Sequence, residues 1–145
     1  MTNILRSISH LLAAVFNNRA EFERLWNASV LGQVSEFAAR WQGEWQSQAS
    51  GHHGELRCIL RRKATAEWEA QFHTTYARRR RVAYGVLLHT KQGDGRLRLQ
   101  GAADLGSLAG GLYEYDGELK PDLFECHYRC KYDHGTFRLK PLTSG

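Results

Sequence analysis

The chain has 145 residues, of which 42% are hydrophobic and 24% charged, enough to bury the core of one globular domain. The two prolines and the lack of low-complexity tracts exclude a disordered linker protein, and no segment reaches the ~20 apolar residues that a membrane-spanning helix needs. The formal charge of +5 at pH 7 is compatible with an anionic partner but does not identify one.

The first predicted element is an amphipathic helical segment at residues 1–39. Apolar residues recur at spacings of three and four across residues 3–38, as on one face of a helix. They are Ile4, Ile8, Leu11, Leu12, Val15, Phe22, Leu25 and Trp26. The favoured interpretation is that this face packs on the rest of the fold or closes one end of it. The alternatives are a protein partner docked through residues 3–38 and, least favoured because the segment has no lysine, a membrane surface.

The beginning of the chain is not typical of a secretory signal. Its apolar stretch at residues 11–16 is short and is not preceded by a cluster of basic residues. The three cysteines cannot all pair with one another, and Cys126 and Cys130 would lie ~13 Å apart on a strand that rises ~3.3 Å per residue. A reducing, cytoplasmic location is therefore expected.

From residue 40 onward the hydrophobic period changes to two, which is typical of half-buried strands. Eight strands are predicted, at residues 43–48, 54–61, 67–76, 81–90, 96–103, 111–119, 123–131 and 135–140. Most connectors between them are short and turn-like, which indicates sequential antiparallel hairpins. The predicted fold is mainly β: an eight-stranded antiparallel up-and-down barrel over residues 40–141, preceded by the helical segment and followed by a flexible tail at residues 142–145.

The alternation along these strands predicts which side chains face the lumen. Several inward positions are aromatic, and they are predicted to provide the apolar walls of a ligand site. These residues are Trp68, Phe72, Tyr84, Tyr113 and Tyr128.

Alternate loops of a meander emerge at the same end of the barrel. The first, third, fifth and seventh loops should therefore meet around one mouth, although they are spread over about eighty residues of sequence. They carry His52, His53, Arg78, Asp104 and His134, which are predicted to orient a polar or anionic end of the ligand.

The segment Gly43-Glu44-Trp45 resembles the Gly-x-Trp motif on the first strand of the lipocalin-type calycins, and the resemblance covers residues 41–140. It implies that a basic residue of the last strand, here Arg138, packs over the tryptophan. Intracellular fatty-acid-binding and nitrobindin-like barrels are similar in architecture. The latter bind haem through a histidine that matches no single position here. The strings Gly51–Cys58, Asp104–Gly111 and Tyr132–Phe137 also resemble a small, uncharacterised bacterial family, which implies no function.

Metal binding and catalysis are weaker interpretations of the same residues. His52, His53, Cys130 and His134 could supply nitrogen and sulfur ligands, but they lack the paired spacing of known zinc motifs, and the sequence requires no cofactor. Asp133 beside His134 suggests acid–base chemistry, with Cys58 or Cys130 as the nucleophile. Since no activated serine is evident, no catalytic residue is assigned.

Nucleic-acid binding is not predicted. The run Arg78-Arg79-Arg80-Arg81 could grip phosphates, but the aromatic residues that would stack bases are predicted to face inward. The favoured function is a protein that holds a small hydrophobic or amphipathic, possibly anionic, ligand in the barrel lumen. The alternatives are a non-catalytic subunit or adaptor that docks through its N-terminal helix, and a metal- or haem-binding protein or enzyme that uses the mouth histidines.

Overall fold

The computed structural model describes residues 19–29, 33–34, 37–76, 80–105 and 111–142. Helix α1 spans Arg19–Ala28, and two short strands, β1 (Gln33–Val34) and β2 (Phe37–Ala38), follow it. The eight longer strands are β3 (Arg40–Ser47), β4 (His53–Ala64), β5 (Glu67–Tyr76), β6 (Arg80–Gly93), β7 (Arg96–Asp104), β8 (Leu112–Lys120), β9 (Leu123–Arg129) and β10 (His134–Leu142). No helix in the described ranges is long and apolar enough to cross a bilayer.

The eight longer strands form a closed antiparallel barrel in the order β10-β3-β4-β5-β6-β7-β8-β9. Each strand pairs with its neighbour in sequence, and β10 pairs with β3 to close the barrel, with Phe137 opposite Trp45. The predicted eight-stranded up-and-down barrel is therefore confirmed. The strand ends differ from the predicted ones by three residues or fewer, and β10 continues to Leu142.

The predicted helix at residues 3–38 differs from the structure in its last part. Residues 1–18 lie outside the described ranges, and α1 ends at Ala28, where the Ser29 backbone N–H and hydroxyl both donate to the Leu25 carbonyl oxygen at 2.9 and 2.7 Å. Beyond this cap, β1 and β2 pair with each other, with Val34 opposite Phe37. The β-branched Val30 and Val34 and the intervening Gly32 disfavour helix, which explains the change.

The barrel is solid at the end where β2 enters it. Its interior there is filled by fully buried side chains, which include Trp41, Leu60, Trp68, Leu88, Leu99, Leu119, Phe124 and Leu139. Phe37 packs edge-on against Trp68 with the ring centroids 5.8 Å apart. The Trp41 indole Nε1 donates to the Ala38 carbonyl oxygen at 2.7 Å. An extended segment, rather than the expected helix, therefore contributes to closing this end.

Helix α1 packs on the outer face of the barrel. Phe22 is completely buried against Ile59 and Ala83, and Leu25 and Trp26 flank this contact. The apolar face of α1 is thus occupied by the chain's own barrel, as the favoured interpretation of the stripe expected.

Candidate binding cavity

The end of the barrel opposite Phe37 contains a cavity of about 330 Å³. Most of its wall is aromatic, formed by Trp45, Tyr84, Tyr113, Tyr115, Tyr128, Tyr132 and Phe137. The remaining lining residues are Leu56, Thr74, Val82, Leu105, Cys130 and Asp133. Together, the aromatic and the remaining lining residues come from seven of the eight barrel strands and from the segments that follow β7 and β9. The alternating inner positions of a closed barrel thus converge on one space.

Phe72 forms the floor beneath this cavity. Its ring contacts those of Tyr84, Tyr115 and Phe137 at centroid separations of 5.4, 6.2 and 5.5 Å. It also lies 6.4 Å from Phe124, which belongs to the filled half. A layer of mutually packed rings therefore separates the cavity from the solid end, and such contacts stabilise the layer beyond simple area burial.

Trp45 forms one wall and is held by a specific hydrogen bond. Its indole Nε1 donates to the Thr75 carbonyl oxygen, across the intervening strand β4, at 2.8 Å. Gly54 is the register partner of Trp45 on β4. A Cβ atom at Gly54 would lie 2.6 Å from the indole nitrogen, so the glycine is needed for the indole to cross β4.

The polar part of the cavity is centred on Asp133, in the loop between β9 and β10. One carboxylate oxygen accepts a hydrogen bond from the Ser47 hydroxyl at 2.6 Å, and the other accepts one from the Tyr128 hydroxyl at 3.2 Å. The Ser47 side chain also accepts from the Ser50 backbone N–H at 3.0 Å. These bonds join the β3–β4 turn to the β9–β10 loop and fix the carboxylate at the cavity wall.

Four of the tyrosine hydroxyls in the cavity are neutral hydrogen-bonding groups. Burial raises the pKa of Tyr84, Tyr113 and Tyr128 well above the usual value, and the nearby Asp133 carboxylate adds to the rise for Tyr113 and Tyr128. Burial also raises the pKa of Tyr115, whose hydroxyl donates to that of Tyr84 at 3.4 Å. The cavity therefore offers O–H groups rather than phenolates at any physiological pH.

Three of the five predicted wall residues line the cavity, namely Tyr84, Tyr113 and Tyr128. The other two, Phe72 and Trp68, face inward as predicted but lie in the core, beneath the cavity and in the filled half. Alternation therefore identified inward positions, but it could not locate the boundary between filled and open halves.

The predicted mouth residues are less convergent. His52, His53, Asp104 and His134 are exposed, and none of them lines the cavity. Arg78 lies outside the described residues. Two of these loops do reach the cavity end, since Leu105 and Asp133, the neighbours of Asp104 and His134, contribute to its wall.

Several lining residues were not predicted as ligand contacts. Leu56 and Val82 lie at inward positions of the alternating pattern, so that pattern could have identified them, and Trp45 was noted only as part of a motif. Tyr132 and Asp133 belong to a loop, where no periodicity indicates the direction of a side chain. Their place at the cavity depends on the closure of the barrel.

The structure does not bring the candidate metal ligands together. Within the described parts of the chain, no three His, Cys, Asp or Glu side chains form a group that could hold a metal ion. Cys130 lines the cavity, whereas His52, His53 and His134 point into solvent. Burial raises the pKa of the Cys58 thiol, which disfavours the thiolate that nucleophilic catalysis would need.

A second hollow, of about 310 Å³, lies on the outer surface between α1 and strands β3 to β6. Its lining is polar and includes Arg57, His73 and Arg81 together with Trp26 and Glu55. Arg57 already pairs with Glu23 of α1 and stacks over the Trp26 ring at 5.0 Å. The arginines that this hollow presents therefore lie outside the barrel, separate from the apolar cavity.

No family model matches the sequence, and the comparison with curated proteins finds no match. Two solved structures are similar to it. A redesigned β-barrel has 10% identity and a TM-score of 0.57, and the match covers 81% of this chain and 100% of that one. A mutant of the fluorescent protein UnaG has 8% identity and a TM-score of 0.42, with 77% and 100% covered. At 10% identity, the likeness to the redesigned barrel shows the closed-barrel fold and nothing about a ligand.

Proposed function

We propose that this protein binds a small hydrophobic or amphipathic molecule in the cavity at the open end of its barrel. The observation that carries the proposal is a cavity of about 330 Å³ whose lining includes seven aromatic side chains, with tyrosine hydroxyls and one carboxylate, that of Asp133, among its polar groups. Ligand sites in proteins have this character, with apolar walls and a small number of placed polar groups, and volumes of roughly 300–1,000 Å³.

The distribution of packing within the barrel supports this function. Side chains as large as tryptophan are fully buried in the other half, so the chain is able to bury large side chains inside a barrel of this size. The ring of Phe72 divides a well-packed half from an open half. This arrangement is expected if the open space holds a ligand, whereas a loosely packed core would have gaps throughout.

The test is calorimetric titration with naphthylmethanol, a neutral aromatic alcohol. We expect saturable one-to-one binding. In a Val82→Phe variant the added ring enters the cavity, so we expect affinity to fall at least ~10-fold, about 1.4 kcal/mol. Val82 is only partly buried, so the variant is expected to fold.

Thr136→Phe is the matched control. Thr136 is half-buried and shares the outer face of β10 with Arg138, and this change adds the same ring without reaching the cavity. Its affinity for naphthylmethanol should equal that of the original chain. Failure of the original chain to bind, or equal weakening in both variants, would contradict the proposal.

The other sequence-based predictions stay predictions. A reducing, cytoplasmic location agrees with three cysteines that are free in the structure. A protein partner docked through the N-terminal segment could not use Phe22, which is completely buried against the barrel.

A further inference from the structure

We infer that the ligand of the cavity carries a positive charge, as an organic ammonium group attached to an apolar or aromatic body. This inference rests on the proposed binding function and specifies its ligand class. It differs from the polar or anionic end that the sequence predicted for the ligand.

The charge of the cavity lining favours a cation. Asp133 is the one charged side chain among the described residues that line the cavity. An anion placed there would lose its hydration and face a carboxylate, which is unfavourable at low dielectric. An ammonium group would instead replace lost water with an ion pair. Arg57 and Arg81 line the outer hollow rather than this cavity.

Asp133 has hydrogen-bonding capacity left for a ligand. An ionised carboxylate has about four acceptor positions. The Ser47 and Tyr128 hydroxyls each use one, at 2.6 and 3.2 Å. These two bonds also fix the orientation of the carboxylate, so its remaining positions are held in place at the cavity wall. A preorganised acceptor of this kind binds a donor without a further loss of conformational entropy.

The aromatic wall of the cavity also favours a cation. The faces of tyrosine and tryptophan rings carry negative potential and attract cations, and aromatic cages recognise ammonium groups in this way. The raised pKa of Tyr113 and Tyr128 keeps these rings as neutral phenols rather than phenolates. One ring at the rim already receives a cation, because the Lys131 ammonium lies 5.4 Å from the centroid of Tyr132.

The experiment compares three probes built on one ring: naphthylmethylammonium, neutral naphthylmethanol and anionic naphthoate. Calorimetry at pH 7 keeps the amine protonated and the carboxylate ionised. We expect the cation to bind about 10-fold more tightly than the alcohol, and the anion to bind more weakly than the alcohol.

Asp133→Asn keeps the size of the side chain and removes its charge. In this variant we expect the ratio of the affinity for the cation to that for the alcohol to fall to about twofold or less. Asp104→Asn is the matched control. It removes the same charge from an exposed residue at the same end of the barrel, outside the cavity lining, and should keep the full preference.

Each outcome separates the inference from the function on which it rests. Equal binding of the three probes, tightest binding of naphthoate, or an unchanged preference in Asp133→Asn would overturn the inference while leaving the binding function intact. If none of the probes binds, both are overturned. Should Asp133→Asn fail to fold, the ranking of the three probes on the original chain still decides the sign of the ligand's charge.

Discussion

Glu69 lies on the outer face of β5, yet its side chain is only 7% exposed. The Lys63 ammonium lies 3.2 Å from its carboxylate, and Arg61 also pairs with it. Burial raises the pKa of this carboxyl, but the bonds from Arg61, Gln71 and Lys63 together outweigh burial, and the net shift is downward. The ionised carboxylate therefore stabilises the folded state.

The Glu69 carboxylate makes the stability of the protein depend on pH in a defined direction. Because the folded pKa lies below the ordinary value of 4.5, the stabilisation is complete above that pH and is lost as the pH falls through the folded pKa. Glu69→Gln should lower the unfolding free energy by about 1 to 3 kcal/mol at neutral pH. The difference between the two proteins should shrink in acid, as measured by urea unfolding at a series of pH values.

Glu67→Gln is the control, because Glu67 is on the same strand and face but is more exposed. It should change stability less at neutral pH. A Glu69→Gln effect that stays constant from neutral pH to well below 4.5 would show that the carboxylate charge is not what stabilises this site.

At single residues the sequence predicted some roles and not others. Position 43 of the Gly-x-Trp segment requires glycine for a clear physical reason, since a Cβ atom there would lie 2.0 Å from the Arg138 carbonyl oxygen. The implied packing of Arg138 over Trp45 is wrong. Arg138 is the register partner of Glu44, faces outward and pairs with Glu125 at 3.3 Å. The alternation of β10 places Phe137 and Leu139 inside instead.

At the scale of elements, α1 is bound to the barrel by one aromatic side chain above all. Phe22 is completely buried and lies 5.2 Å from the His73 ring and 5.9 Å from that of Trp26. Arg57 packs over the Phe22 ring at 5.1 Å and also pairs with Glu23 of the same helix. An apolar contact with an ion pair beside it is a typical way to dock a helix on a sheet.

We expect Phe22→Ala to destabilise the protein by about 3 to 4 kcal/mol, since it leaves a buried void between α1 and strands β4 to β6. Arg24→Ala is the control on the same helix. Its side chain is 65% exposed and, among the described residues, pairs with Glu21, so its loss should lower stability far less than the loss of Phe22. Urea unfolding that gives the same midpoint for both variants would contradict the packing described for α1.

The helical period predicted α1 itself, but it could not predict where the helix ends. The apolar residues after Trp26 continue at spacings that suit a helix. At its end the Ser29 hydroxyl donates to the Leu25 carbonyl oxygen, a local contact that the spacing of apolar residues does not reveal. Phe37 and Ala38 are instead positioned by packing into the core at the closed end of the barrel. This is a tertiary contact, which the period of the sequence cannot predict.

At the scale of the whole molecule, the barrel was predictable because each strand alternates and most connectors are short. Whether the lumen is filled was not predictable, because it depends on how aromatic rings from different strands interlock. Phe72 and Tyr84 are similar inward residues in sequence, yet one is a core residue and the other a cavity wall. Only the closed structure distinguishes them.

The four tryptophans provide a direct test of the central claim, that the open end of the barrel binds a small molecule while the rest is solid. Trp45 lines the cavity, Trp41 and Trp68 lie in the filled half, and Trp26 lines the outer hollow. Their indole N–H groups give separate signals in a nitrogen-15 NMR spectrum, and single Trp→Phe variants assign them.

The measurement is a titration of the labelled protein with naphthylmethanol while these four signals are followed. We expect a saturable shift of the Trp45 signal, with those of Trp41, Trp68 and Trp26 unmoved. A shift of Trp26 with Trp45 unchanged would place binding in the outer hollow, and four unmoved signals would show that the cavity does not bind the probe. Either result would contradict the account.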